Sequence, residues 1–95
     1  MNQDEKKIVS FTDLNTWREG HTLVLEIYRK TKKFPKEELF GLTSQMRRSA
    51  VSVTSNIAEG FSRRSYKEKT QFYFMAQGSL TELQNKIAFS LCSFA

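Results

Sequence analysis

Residues 41–64 read GLTSQMRRSAVSVTSNIAEGFSRR, and this stretch decides how the chain folds. At about 100° per residue, a helix gathers five of its side chains within about one quadrant. These are Leu42, Met46, Ser49, Val53 and Ile57. A separate polar sector holds Arg48, Ser52, Ser55 and Glu59. The stretch is therefore predicted to be an amphipathic helix with one packed face and one face in water.

A third strip on the same helix is mostly small or apolar and lies roughly opposite the first. It consists of Arg47, Val51, Thr54 and Ala58. A helix with two packing faces needs a neighbour on each of them. The pattern therefore predicts that this helix lies in the middle of a bundle.

The same region carries a family resemblance. The run FGLTSQMRRSAVSVTSNIAEGFSRRS at 40–65 follows EIYRKTKKFPKEE at 26–38 and precedes GSLTELQ at 78–84. These segments resemble the bacterial four-helix-bundle family described as 23S rRNA-intervening-sequence proteins. The resemblance covers about Leu14 to Lys86, and its most specific block is NIAEG at Asn56 to Gly60.

The resemblance implies an all-α fold, a cyclic homopentamer and a basic surface for which nucleic-acid binding has been proposed. It also implies a relation to the accessory proteins of diversity-generating retroelements, which partner a reverse transcriptase and its RNA. The resemblance says more about the fold than about the activity.

Length and composition indicate one small domain. Ninety-five residues, 39% of them hydrophobic and 26% charged, have an ordinary globular balance. We predict a flexible tail over residues 1–10 and a single helical-bundle domain over residues 11–95. The N-terminus has no apolar core of a signal peptide and no segment approaches a membrane span, so we expect a cytoplasmic protein. Cys92 is the single cysteine and is expected to be a small buried hydrophobe.

The basic charge is unevenly distributed. The formal net charge is +5. Residues 1–39 carry eight Lys or Arg against seven Asp or Glu, whereas residues 40–95 carry seven against three. The excess of +4 therefore lies in the second half and favours polyanionic partners, although a solubility role explains the same charge.

Three helices are predicted. The first runs from a cap at Ser10 or Thr12 to about Lys33, with a Glu26–Lys30 ion pair on its outer face. Its apolar stripe is Leu14, Trp17, His21, Val24, Leu25 and Tyr28. The second runs from Gly41 to Gly60, which suits a C-terminal cap, or two to three residues further.

Ser65 and Glu68 form a capping box for the third helix, which extends over about 28 residues if it reaches the end. Its main stripe is Phe72, Ala76, Ser79, Leu80, Leu83, Ile87 and Phe94, and a second stripe is Phe74, Thr81, Ala88 and Cys92. We therefore predict an all-α, up-and-down antiparallel bundle of the four-helix-bundle kind, with three helices present. The fourth, C-terminal helix that the resemblance implies is expected to be missing. Either the protein is a truncated version of the family fold, or oligomer contacts cover the exposed apolar strip of α3.

The sequence offers no arrangement of nucleophile, base and metal ligands for catalysis. His21 lies on the predicted apolar stripe, where a packed histidine is the simpler interpretation. Glu59 and Glu82 are too distant in sequence to predict a carboxylate pair, and no glycine-rich phosphate loop is present. We therefore predict a protein that is not an enzyme and has no cofactor or metal.

The leading functional hypothesis is non-catalytic, sequence-nonspecific binding of RNA or DNA by a homo-oligomer, for which the resemblance implies a pentamer. The candidate contact residues are Arg47, Arg48, Arg63, Arg64, Lys67 and Lys69. Arg63, Arg64 and Lys67 flank the turn between the second and third helices, so they should be exposed at one end of the bundle. The sequence has no interleaved aromatic and basic residues and no helix-turn-helix signature, which argues against base readout.

The candidate interface residues are Val51, Thr54, Ala58, Asn56 and Glu59. One interpretation is that Asn56 and Glu59 hydrogen-bond to a neighbouring helix, with Arg47 or Arg48 as the partner. The other places Glu59 and the arginines in a subunit or partner interface. The alternative function is therefore a protein-interaction scaffold or accessory subunit, for example for a reverse transcriptase, without direct nucleic-acid contact.

Overall fold

The computed structural model describes residues 7–93 and contains three α-helices. They are α1 (Asn15–Thr31), α2 (Ser44–Ser62) and α3 (Tyr66–Ser93). The described residues contain no strand. The all-α prediction is therefore confirmed. Residues 1–6, which make up most of the predicted tail, and Phe94 of the predicted α3 stripe lie outside the described residues.

Short helical turns precede α1 and α2. A 3₁₀ turn at Phe11–Asp13 begins at Ser10, whose hydroxyl accepts a hydrogen bond from the Thr12 backbone N–H, while Asp13 accepts one from the Ser10 N–H. Between α1 and α2, a 3₁₀ turn at Lys36–Glu38 leads into a π turn at Leu39–Thr43. Gly41 lies in that π turn with non-helical angles, so α2 begins three residues later than predicted.

Helix α2 is the central element of the fold. All five residues of its predicted packed face are buried, between 3% and 8% exposed. Helices α1 and α3 both pack against α2. The backbones of α1 and α3 come close to each other at few positions. The prediction of a central helix with neighbours on two sides is therefore confirmed.

The core has two parts that both contain α2. In the first, Leu83 of α3 is fully buried against residues of the other two helices and of the turn before α2, namely Ile27, Leu42, Met46 and Ala50. In the second, Val53 and Ile57 pack against Ala76 of α3. Because the helices lie nearly side by side, the molecule is a thin layer of 50 × 31 × 18 Å.

The predicted stripe of α1 is wrong in part. His21, Leu25 and Tyr28 are exposed, whereas Ile27 and Thr31 are the buried residues of this helix. The packed face is rotated because Gly20 brings the α1 backbone close to α2. A Cβ added at Gly20 would lie 2.9 Å from the Thr54 methyl carbon. His21 stacks on Trp17 at the edge, with ring centroids 4.8 Å apart.

The end of α2 also differs from the simplest prediction. Gly60 lies inside the helix, which ends at Ser62, two residues later. Among the described residues no glycine has a positive φ, so Gly60 does not act as a left-handed cap. Its small size serves packing, since an added Cβ would lie 2.6 Å from the Tyr73 ring of α3.

Helix α3 is long and apolar on more than one side. Its predicted length of 28 residues and its Ser65 cap are confirmed, with the Glu68 N–H donating to Ser65 Oγ at 3.1 Å. Its second stripe is exposed, and Cys92 is exposed with it, so the prediction of a buried cysteine is wrong. An apolar groove of about 400 Å³ lies beside α3 and includes Leu14, Ile57 and Leu80.

Candidate nucleic-acid interface

The turn between α2 and α3 presents the strongest cationic group at that end of the molecule. The turn consists of Arg63, Arg64 and Ser65, and α3 begins immediately after it. Because Ser65 caps α3 and the Arg63 N–H donates to the Gly60 carbonyl at 3.2 Å, both ends of the turn are fixed. The two arginines are therefore held at the end of the bundle, as the sequence predicts.

Arg64 and Lys67 are the least engaged cations of this group. Both are exposed, and neither forms a hydrogen bond or ion pair with another residue of the 7–93 segment. Tyr66 lies between them and is 85% exposed. These two cations can contact phosphate, and the exposed ring beside them can stack on a base, without breaking any hydrogen bond or ion pair of the fold.

Arg63 is exposed but already has two partners. Its guanidinium donates to Glu59 Oε2 at 3.1 Å and lies 4.7 Å from the centre of the Phe72 ring. The Glu59 carboxylate offsets part of its charge, so this arginine offers a phosphate less than Arg64 does. Its contact with Phe72 also links the end of α2 to the first turns of α3.

Lys69 is used inside the fold. Its Nζ donates to the Phe61 and Gly60 carbonyl oxygens at 2.8 and 3.2 Å. These are carbonyls of the last turn of α2, where the regular helical hydrogen bonds run out, and the Gly60 carbonyl also accepts from the Arg63 N–H. The ammonium of Lys69 therefore satisfies the end of α2, and the residue is partly buried there.

Arg47 and Arg48 lie far from the turn. Fifteen residues of helix separate Arg48 from Arg63, or about 22 Å along the axis. Arg47 is partly buried, donates to Thr31 Oγ1 at 3.0 Å and lies 4.6 Å from the Tyr28 ring centre. Arg48 is exposed. The six candidates therefore form two separate groups, one at the turn and one near the start of α2.

The strip Val51, Thr54 and Ala58 faces α1 rather than open solvent. Thr54 is 9% exposed and lies close to Gly20, and Ala58 is partly buried. Val51, at the edge of the strip, is 39% exposed. Within one chain, most of the strip is therefore already covered by α1.

The predicted partners of Asn56 and Glu59 are wrong. The Asn56 amide donates to the Ser52 carbonyl at 2.8 Å and to Ser52 Oγ at 3.1 Å, both on its own helix. Ser52 Oγ in turn lies 2.8 Å from Ser79 Oγ of α3. Glu59 pairs with Arg63 one turn later, because both lie on the solvent side of α2 and neither Arg47 nor Arg48 is within reach. At this position the link between α2 and α3 is therefore the pair of serines, Ser52 and Ser79.

A third basic group lies at the opposite end of the molecule from the α2–α3 turn, around the end of α1. It comprises Arg29, Lys30, Lys32, Lys33 and Lys36, all exposed. The Glu26 carboxylate pairs with Arg29 instead of the predicted Lys30. The hydrogen bond from Arg29 lowers the pKa of Glu26, and the positive charges of Arg29 and Lys30 add to the effect.

Sequence reasoning missed Lys86. Its Nζ donates to Ser49 Oγ at 3.0 Å, so it joins α3 to α2 close to Arg48. Lys86 follows Ser79 by seven residues, which places the two on nearly the same side of a helix. The position of Ser79 in the main stripe was therefore the signal that Lys86 faces α2.

A sequence model of the 23S rRNA-intervening sequence protein family matches residues 12–92. The chain belongs to that family. The match extends from the 3₁₀ turn before α1 almost to the end of α3, so it includes both basic groups of α2 and α3. A comparison with curated proteins finds no match to this chain.

Membership of the 23S rRNA-intervening sequence protein family confirms the family resemblance. The description of the family names no reaction. Among residues 7–93, no three His, Cys, Asp or Glu side chains are placed together to hold a metal ion. No helix in that range is long and apolar enough to span a membrane. The relation to retroelement accessory proteins stays a prediction.

Proposed function

We propose that this chain is a non-catalytic protein that binds RNA or DNA through phosphate contacts at the α2–α3 turn. The observation that carries the proposal is the exposure of Arg64 and Lys67, which have no partner among the described residues. Arg63 adds a cation that is partly offset by Glu59. Contacts of this kind bind the backbone and carry no sequence information.

Repetition of the turn in a homo-oligomer would strengthen such binding. A single turn offers two free cations, which is few for a stable complex. In a closed ring each copy presents its turn on the same side, so weak contacts add through avidity. The proposal therefore includes a homo-oligomer, a pentamer as the family resemblance implies, and places its activity in the cytoplasm.

The test is a double charge reversal, Arg64→Glu with Lys67→Glu. Both residues are exposed, and an acidic residue in the first turn of α3 suits the helix dipole, so the fold is expected to persist. Arg63 is left unchanged because it packs on Phe72. Affinity for structured RNA and duplex DNA is measured by fluorescence anisotropy over a salt series, and mass by light scattering.

The matched control is Lys30→Glu with Lys33→Glu at the other end, which changes the net charge equally. The proposal predicts that the turn variant loses binding and that the control keeps most of it. The slope of log affinity against log salt should become shallower by about 0.9 for each duplex phosphate that the variant no longer neutralises. Equal loss in both variants would mean that only net charge matters, and binding by the turn variant at full affinity would contradict the proposal.

The second candidate function is a protein-interaction scaffold, and the exposed apolar side chains of α3 favour it. Phe74 is 68% exposed, Phe89 59% and Leu91 67%. Large exposed apolar side chains on a small protein favour a contact with another protein. Absence of any salt-dependent nucleic-acid binding by the unmodified chain would favour this second function.

A further inference from the structure

A polar groove of about 340 Å³ lies between the first half of α2 and the second half of α3. Its lining residues are Gln45, Arg48, Ser49, Ser52, Glu82 and Lys86. These form three pairs spaced four residues apart, Gln45 with Ser49, Arg48 with Ser52, and Glu82 with Lys86. Each pair lies on one side of its helix, so the groove is a regular product of the two facing helices.

Two cations supply most of the hydrogen-bond donors of the groove. Arg48 is exposed, and its guanidinium forms no hydrogen bond or ion pair within the described part of the chain. Lys86 is partly buried and uses one of its three N–H donors on Ser49 Oγ at 3.0 Å. That bond holds the ammonium across the helix boundary and leaves two donors for a ligand.

The wall of the groove is held by hydrogen bonds. Ser52 Oγ lies 2.8 Å from Ser79 Oγ, and the Asn56 amide donates to Ser52 Oγ at 3.1 Å. Ser49 is buried and fixed by Lys86. The groove is therefore organised before a ligand arrives, which reduces the entropy lost on binding.

The charges around the groove favour an anion. Glu82 lies at its rim and is exposed, and among residues 7–93 it forms no ion pair. Lys86 follows Glu82 by four residues, a spacing that usually gives a pair, but its ammonium is bonded across to Ser49 instead. Two cations against one carboxylate leave a net charge of about +1 beside several neutral donors.

We propose that this groove binds a phosphate group, with Arg48 and Lys86 as its charged ligands. The planar guanidinium of Arg48 suits two phosphate oxygens at once, and the ammonium of Lys86 supplies a point charge on the third. The phosphate comes from a free nucleotide or from a nucleic-acid chain. Because the groove is about 22 Å from the α2–α3 turn, its binding does not depend on the function proposed for that turn.

The test is a titration of isotope-labelled protein with inorganic phosphate at low ionic strength, followed by amide chemical shifts. We expect saturable shifts at the groove residues of α2 and α3. Arg48→Gln should weaken phosphate binding by about tenfold or more, since it removes a charge-assisted bidentate contact. Glu82→Gln should strengthen it about two- to threefold, because it removes a repelling charge at the rim.

Arg64→Gln is the matched control for affinity read from the groove amides alone, because it removes the same charge from the α2–α3 turn, far from the groove. Equal effects of Arg48→Gln and Arg64→Gln would overturn the proposal, as would shifts confined to the turn or a loss of affinity in Glu82→Gln. Competition with adenosine monophosphate and with 5′-phosphorylated or unphosphorylated oligonucleotides distinguishes the two sources of the phosphate. Phosphate binding at the groove in a chain that fails to bind nucleic acid would support this site while contradicting the function proposed for the turn.

Discussion

Gly60 should be the least replaceable glycine in the described part of the chain. It lies on the buried side of α2, where α3 leaves the turn and runs back along it. An added Cβ would lie 2.6 Å from Tyr73 Cε1, 2.9 Å from Tyr73 Cδ1 and 3.2 Å from Phe72 Cβ. Carbon atoms ordinarily approach to about 3.5–4.0 Å, so Gly60→Ala requires the Tyr73 ring and the α3 backbone to move.

The expected cost follows from two opposing terms. Overpacking of this kind costs about 1–3 kcal/mol. Replacing a helical glycine by alanine returns at most about 1 kcal/mol, and less near a helix end. Gly60→Ala should therefore lower the free energy of unfolding by roughly 1–2 kcal/mol, which lowers the Tm of a domain this size by about 5–10 °C.

Gly78→Ala is the matched control in the middle of α3. No atom lies within 4 Å of a Cβ added at Gly78, and the residue is exposed. The same substitution should therefore raise stability by about 0.5–1 kcal/mol through helix propensity alone. The two substitutions are therefore expected to change the free energy of unfolding in opposite directions, although both replace glycine by alanine.

The assay is urea denaturation followed by far-UV circular dichroism, with all proteins at one concentration. A change in midpoint without a change in slope reports stability itself. In a Tyr73→Ala background most of the cost of Gly60→Ala should disappear, because the obstructing ring is gone. Gly60→Ala with unchanged or raised stability would refute the close-approach argument, and so would a cost that persists unchanged without Tyr73.

Two further predictions concern helix α3 and helix α1. Ser65→Ala should destabilise the protein by about 1 kcal/mol, because the hydroxyl that accepts the Glu68 N–H at 3.1 Å is removed, and urea denaturation measures this. Hydrogen bonding from Arg29 lowers the pKa of Glu26. The stabilising effect of the Glu26–Arg29 pair is therefore complete above the pKa that Glu26 has in the unfolded chain, and it disappears as pH falls through the pKa of Glu26 in the folded protein. Arg29→Gln should return the Glu26 titration, followed by carbon NMR, towards its ordinary value.

The sequence predicted the buried face of a helix most reliably where that helix has neighbours on both sides. The faces of α2 followed from periodicity, because every third or fourth residue from Leu42 to Ile57 meets another helix and is buried. Helix α1 packs mainly on one neighbour, so its packed face was free to shift towards Gly20 and Thr31. Hydrophobicity alone could not show that rotation, because a glycine and a threonine mark the contact.

The position of the candidate site could be predicted from the sequence, but the role of each of its residues could not. The turn at Arg63 and Arg64 was predictable, because Ser65 and Glu68 mark where α3 begins. The role of Lys69 was not, since its ammonium meets carbonyls that only the folded turn brings near. The local partners of Asn56 were missed because a side chain can bond back to its own helix as readily as across to another.

The thin, three-helix layer also bears on how the chain folds. Both parts of the core contain α2, and α3 packs along a greater length of it than α1 does. Helices α2 and α3 are adjacent in sequence and joined by a three-residue turn, so their pairing closes a short loop at little entropic cost. We therefore expect an α2–α3 hairpin to be the first cooperative unit of folding, with α1 docking on it afterwards. In the native state we expect α1 to open at a lower free energy than the hairpin, which holds both basic groups of α2 and α3.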